Sequence, residues 1–272
     1  MKIALCAIVK YENAYLGEWV RYHIDLGYDH IFLYDDNEPG YPSAKTVLDD
    51  KYTDRVTIVN AYGRVSAQTI QHRWYDHCLQ NYGRNYDWIS FADVDEFITS
   101  TGIRRLFASV PGEFDFLVMN LQFFDDNDIV VGDETVPVIE RFTRPIFNTK
   151  SQFSRICKPS IRCSVLERNL NVRCASAHNF IYKSNLKWCD VQGREADLIP
   201  IHSLVRTEAI LADNYIRHYP TKSLSEFCKY KLPRLPICAK KRVFDYYFRY
   251  NKPNEEKHAY INDYLKRDLI DI

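Results

Sequence analysis

Asp93-Val94-Asp95-Glu96 sets three carboxylates within four residues. The D-x-D pair flanks a valine that turns into the core, and hard carboxylate oxygens suit Mg²⁺ or Mn²⁺. A cation held there would bridge a diphosphate and stabilise it as a leaving group. The chain has no G-x-G-x-x-G, no G-x-x-x-x-G-K-[ST] and no G-x-S-x-G, and its nine glycines leave little for a phosphate-cradling loop. Charge neutralisation for a phosphate-bearing ligand therefore has to come from another source, and the D-x-D can supply it.

A D-x-D alone arises in any acidic turn, so its setting decides its meaning. Residues 3–9 are a continuous apolar run, as in a strand buried on both faces. Leu16, Trp19, Val20, His23 and Ile24 then fall at helical spacing, with Gly27 as a stop. Strands are predicted over 30–34, 56–59 and 88–92, and Ala67, Ile70, Trp74 and Cys78 mark a second long helix before the last of them. This alternation implies an α/β fold with a mostly parallel sheet covered by helices on both faces. Ligands of such sheets bind beyond the carboxyl ends of the strands. Carboxylates stand at three of those ends: Glu12, Asp35, and Asp93 with Asp95. Glu12 and Asp35 are thus candidates for the base or ribose of a nucleotide, against the alternatives of helix N-cap and turn former. Glu96 is expected to brace the loop or to reach a metal through water.

Beyond residue 100 the pattern loosens. Strands are predicted over 116–121 and 136–140, the latter at a sheet edge because of Pro137. A β-like piece covers 177–182, and helical period returns from Ser223, interrupted over 232–236. No internal repeat, low-complexity tract or Gly/Ser linker is present.

Ordered blocks tie these pieces together. They begin with Lys10-Tyr11-Glu12-Asn13-Ala14-Tyr15-Leu16-Gly17-Glu18-Trp19-Val20-Arg21-Tyr22-His23, followed by Leu26-Gly27 and residues 30–35. Asp93-Val94-Asp95-Glu96-Phe97, Glu140-Arg141-Phe142 and the H-Y-P-T-K-S-L-S-E-F-C-K run from His218 to Lys229 complete the set. In this order they resemble the blocks of family 2-like and family 92 glycosyltransferases, over residues 3 to 231. The resemblance implies a GT-A (Rossmann-like) domain over 1–231 and leaves 232–272 as a helical, basic and aromatic extension. It also implies a nucleotide-diphosphate sugar donor (a UDP-sugar in our reading), Mn²⁺ or Mg²⁺ on Asp93 and Asp95, and inversion at the anomeric carbon. His178, His202 and His218 compete for a further metal or phosphate contact, with His218 favoured by its block. Lys222 would pair with the donor diphosphate as a point charge, and Glu226 one turn on would be its partner. Two departures stand out: Tyr11 where the family usually has Asn, and Asp125-Asp126 where many relatives have Gly-Ser.

Inversion by single displacement needs a carboxylate to take the acceptor proton. Asp125, Asp126, Asp128 and Glu140 are the candidates. Asp126 follows the aromatic pair Phe123-Phe124, and Glu140 belongs to a family block; these two are carried forward as catalytic.

Composition bounds the rest. Lys+Arg and Asp+Glu number 36 each, a balance that argues against a nucleic-acid partner. The eight cysteines show no C-x-x-C, so free thiols in a reducing compartment are expected. The N-terminal apolar run is short for a signal peptide, and no 18-residue apolar stretch occurs. The expectation is a cytoplasmic protein of surface polysaccharide synthesis with a glycan or lipid-linked acceptor. A peripheral membrane contact could come from Lys240, Lys241, Arg242 and the aromatics that follow. The competing readings are a metal-dependent phosphohydrolase or nucleotidyltransferase, which also uses strand-end carboxylates, and a non-catalytic nucleotide-sugar binding module.

Overall fold

The N-terminal apolar run forms β1 (Ile3–Val9), buried along almost its whole length. The computed structural model describes residues 1–63, 70–168, 172–176, 178–181, 186–199, 204–234 and 243–268. Helix α1 (Asn13–Leu26) follows and is stopped by Gly27, whose φ of 122° is open to glycine at little cost. Strands β2 (His30–Asp35), β3 (Val56–Asn60) and β4 (Trp88–Phe91) line up with β1 in the order β3-β2-β1-β4, all parallel. Helix α2 (Ile70–Tyr82) connects the last two; Ala67, expected at its start, lies outside the described residues. This parallel half with helical crossovers is the α/β core that the apolar runs and helical spacing predict.

After β4 the sheet changes character. Strand β5 (Glu96–Ser100), helix α3 (Ile103–Ser109), strand β6 (Phe116–Phe123) and strand β7 (Cys157–Arg162) extend it. Strand β7 lies between β4 and β6, antiparallel to both. Helix α4 (Val138–Arg141) and helix α5 (Val165–Arg168) flank β7 in sequence. Short strands follow: β8 (Arg173–Ser176) with β9 (Asn179–Ile181), β10 (Trp188–Cys189) against β6, and β11 (Leu198–Ile199) with β12 (Leu204–Val205). Strand β13 (Asn214–His218) runs antiparallel to β5.

Segment 136–140 is a correction. Val138–Arg141 is one helical turn, not a strand, with Pro137 at its N-cap position. The Pro137 carbonyl accepts the N–H groups of Glu140 and Arg141 at 3.0 Å each. Proline has no N–H to give a ladder, while its fixed φ suits a helix start.

The chain separates into two compact units, Met1–Gln122 with Phe147–His218, and Phe123–Ile146 with Tyr219–Ile272. In the first, α2 packs Trp74, Tyr75, Cys78 and Leu79 onto Ala4, Cys6, Phe32 and Tyr34 of the sheet. Trp74 stacks on Tyr34 with centroids 5.1 Å apart. The second unit contains α6 (Leu224–Glu226), α7 (Val243–Tyr250) and α8 (Glu255–Asp268) around Leu224, Phe227, Tyr247 and Ile261. It takes in the described part of the 232–272 extension and adds 123–146 and 219–231. No described helix is long and apolar enough to cross a membrane.

Helix α1 is tied to β5 through two aromatic rings one turn apart. The Trp19 indole donates to the Glu96 carbonyl at 2.7 Å. His23 is fully buried; its Nδ1–H donates to the Trp19 carbonyl at 2.8 Å and its Nε2 accepts the Ile98 N–H at 3.1 Å. That pattern requires a neutral ring, and burial holds its pKa down at about 3. The unfolded chain takes up a proton near pH 6.5 that the folded chain refuses, so stability falls as pH drops from 6.5 toward 3. We expect the native protein to lose about 2 kcal/mol at this site between pH 7 and pH 5. Urea unfolding of His23→Gln should show a smaller loss over that interval; equal losses would exclude this assignment.

Candidate active site

The D-x-D lies in the tight passage from β4 to β5. Glu96 donates its N–H to the Asp93 carbonyl at 2.9 Å, and the Asp93 N–H donates to Glu96 Oε2 at 2.9 Å. This reciprocal pair closes the turn, and Val94 is buried beneath it. Trp19 then grips the Glu96 carbonyl from the other side.

A lysine neutralises part of this acidity. Lys158, the second residue of β7 and only 1% exposed, places Nζ 2.8 Å from Asp93 Oδ2 and 3.2 Å from Glu96 Oε2. Burial opposes its charge, yet the two carboxylates keep its pKa above the ordinary lysine value. The Asp93 carboxyl would be pushed up by burial, but Lys158 holds it below its usual value. The other oxygen of Asp93 accepts from Gln71 Nε2 at 2.9 Å and from the Tyr75 hydroxyl at 3.3 Å, both on α2. Glu96 is raised to about 7, burial outweighing the pull of Lys158.

The remaining acidic face meets β13. The register pairs His218 with Glu96, and His218 Nε2 lies 3.6 Å from Asp95 Oδ1. Donor atoms of Asp95, Glu96 and His218 lie within 4.8 Å of one another. Glu96 is wholly buried, and its Oε1 has no hydrogen-bond partner among the described residues. Two carboxylates, one of them carrying the orphaned buried oxygen, and one imidazole form a donor set that fits Mn²⁺ or Mg²⁺. Asp95 and His218 thus meet as the sequence suggests, Glu96 joins them, and Asp93 turns to Lys158. Lys158, Gln71 and Tyr75 escaped sequence reading; the signal for Lys158 was a lone lysine in a short segment of strand character.

Other expected residues take different positions. Asp35, at the end of β2, accepts from Asn37 N (3.2 Å) and Nδ2 (2.8 Å) through Oδ1, and from Ser43 Oγ (2.9 Å) and Ala44 N (2.8 Å) through Oδ2. It organises the loop bordering a cleft of about 380 Å³, lined also by Tyr41, Lys45, Asn60 and Tyr62. Glu12 is buried at the N-cap position of α1, where its carbonyl but not its side chain caps the helix. Tyr11 stands at φ 54°, a region that asparagine enters more readily. His178 donates Nδ1–H to the Cys157 carbonyl at 3.0 Å; burial, and then the nearby Lys158 charge, lower its pKa to about 3. His202 lies outside the described residues, as do Lys240, Lys241 and Arg242.

Asp126, Glu140 and Lys222 belong to the second unit. Asp126 is fully buried, paired with Lys257 at 2.7 Å and accepting from the Tyr247 hydroxyl. Glu140 is exposed on α4. Lys222 is buried, with Nζ 3.4 Å from the Tyr219 carbonyl. Glu226 pairs with Arg141 at 2.7 Å and forms a capping box with Ser223.

Breaking a buried ion pair by removing one partner leaves an uncompensated charge and costs about 3–5 kcal/mol. Lys158→Met should destabilise the fold by that order at pH 7.5, as read from urea denaturation. Without the ammonium the Asp93 carboxyl is no longer held down and that of Glu96 rises further, so the folded chain binds protons more tightly than the unfolded one. The loss should therefore be smaller at pH 5 than at pH 7.5; a pH-independent loss would contradict this account.

Comparison with known proteins gives these residues a family context. Residues 2–110 match the model of Glycosyltransferase family 92. A family 92 protein of Ricinus communis is 26% identical over 101 residues, which is 35% of this chain and 17% of that protein. One from Oryza sativa subsp. japonica is 24% identical over 104 residues, 38% of this chain and 17% of that protein. The chain thus spans about a sixth of the length of these relatives. Among solved structures, S. aureus TarS aligns over 92% of this chain and 43% of its own, with a TM-score of 0.46 and 11% identity. TarS 1–349 in complex with UDP-GlcNAc aligns over 95% of this chain and 78% of its own, with a TM-score of 0.44 and 12% identity. Strands β1–β4, the D-x-D and the helices between them all fall inside residues 2–110, the segment that is similar to the model of Glycosyltransferase family 92.

Proposed function

We propose that this chain is a metal-dependent glycosyltransferase. It moves a sugar from a nucleotide-diphosphate donor, a UDP-sugar, to a hydroxyl of a glycan or lipid-linked acceptor, with inversion at the anomeric carbon. The observation that carries this reading is the Asp95, Glu96 and His218 group with its orphaned buried oxygen. It lies in the family-matched part of the chain, completed by the histidine of β13.

Asp95, Glu96 and His218 would hold the cation, which supplies a Lewis acid for the departing diphosphate. Trp19 and Lys158 fix the turn that presents Asp95. The cleft beyond β2 and β3 is our site for the nucleoside, with Asp35 shaping its loop and Glu12 at the neighbouring strand end. Lys222 is assigned to the donor phosphates as a positive charge. Of the two carboxylates proposed as base, Glu140 offers accessible oxygens, whereas those of Asp126 are occupied by Lys257, Tyr247 and the Asp128 N–H. We place the reaction in surface polysaccharide synthesis at the cytoplasmic face of a membrane, supported by the basic and aromatic composition after residue 237.

Thermal unfolding with a panel of nucleotide sugars tests the reading. With Mn²⁺ present and a UDP-sugar at about 100 times its Kd, linkage predicts roughly 2.7 kcal/mol of stabilisation, a rise of about 5 °C. The rise should vanish without metal and in Asp95→Ala. A flat response to every nucleotide sugar in the presence of Mn²⁺ would defeat the proposal.

A further inference from the structure

We propose that Lys158 is a fixed internal counter-ion that limits this site to one divalent cation, held by Asp95, Glu96 and His218, by keeping Asp93 out of the coordination shell. The inference rests on the cation site of the proposed reaction but not on its donor or acceptor.

In sites that hold two metals, the ions lie about 3.5–4 Å apart and share bridging carboxylates. Asp93 and Glu96 are placed to form such a bridge, but the Lys158 ammonium fills it, 2.8 Å from one carboxylate and 3.2 Å from the other. Lys158 cannot swing out to solvent. It is 1% exposed and lies on a central strand, paired with Met119 of β6 on one side while β7 pairs with β4 on the other. A second cation on Asp93 would have to sit against this ammonium, and like charges at such short range repel.

Asp93 is held in place from two directions. Lys158 takes Oδ2, and Gln71 and Tyr75 take Oδ1. Glu96 is divided: Oε2 serves Lys158 and the Asp93 N–H, which leaves Oε1 as its open acceptor. One lysine thus ties Asp93 and Glu96 Oε2, whereas Asp95 and Glu96 belong with His218 to a cluster of donor atoms within 4.8 Å of one another. A site requiring two ions, as in many phosphoester hydrolases, is disfavoured by the same contact.

Mn²⁺ alone is the probe, counted by the electron paramagnetic resonance signal of the free ion during titration of the full chain. The native protein should bind one Mn²⁺. Asp93→Asn should change its Kd by less than about threefold, since a group outside the shell acts only indirectly, whereas loss of a ligand or its direct support costs about 10–100-fold. Lys158→Met should bind Mn²⁺ about tenfold more tightly or take a second ion, because Asp93 is released to coordinate. Lys158→Met/Asp93→Asn should return to one site near the native Kd. Lys158→Arg, which keeps the charge, should stay within about threefold of native.

Two Mn²⁺ per native chain, no Mn²⁺ bound by the native chain, or a tenfold loss in Asp93→Asn alone would each overturn the inference. So would a folded Lys158→Met with native affinity and one ion. Should Lys158→Met fail to fold, the native count and Asp93→Asn still decide. One Mn²⁺ with this pattern but no nucleotide-sugar binding would keep the inference and reject the proposed reaction.

Discussion

The buried ammonium of Lys158 between Asp93 and Glu96 is the interaction on which the rest of the first unit depends. A carboxylate taken from water is tolerated only when paired and hydrogen-bonded, and here Glu96 is buried and Asp93 half-buried at the foot of one turn. The sheet meets this condition by inserting β7 between β4 and β6, antiparallel to both, so that a lysine from residue 158 reaches residues 93 and 96. The change from a parallel to an antiparallel sheet therefore coincides with the delivery of a positive charge.

A second layer of support comes from helix α1. The Trp19 and His23 rings reach the backbone of β5 at Glu96 and Ile98, so the turn is gripped through main-chain atoms while its side chains stay available for ion contacts. Backbone grips constrain position without taking up carboxylate oxygens. The buried, neutral His23 imidazole serves as one donor and one acceptor, a combination no carboxylate or ammonium could provide in that place.

The parallel half of the fold was legible because each of its strands is a short apolar run and each helix a regular 3.6-residue pattern. Residues 136–140 misled because Val136, Val138 and Ile139 look like strand residues, while Pro137 favours the start of a turn of helix. Asp35 was readable as a carboxylate at a strand end, but not as one whose four hydrogen bonds all return to its own loop. Lys158 was not read as part of the site: C-K-P-S-I-R has strand character, but nothing local in it identifies Asp93, 65 residues earlier, as a partner. Glu96 was expected as a brace for the loop; one of its oxygens braces and the other stays open.

The antiparallel seam of β5 and β13 sets when the site can exist at all. His218 stands opposite Glu96 only in one register, and because side chains alternate across a strand, a slip of one residue would turn the imidazole to the other face. The contact joins segments far apart in the chain, the kind of pairing that forms late because loop closure must come first. During synthesis, a chain that has not yet released β13 carries its acidic turn without the histidine. Any metal it meets would find an incomplete set of ligands, so cation capture is postponed until the seam has closed.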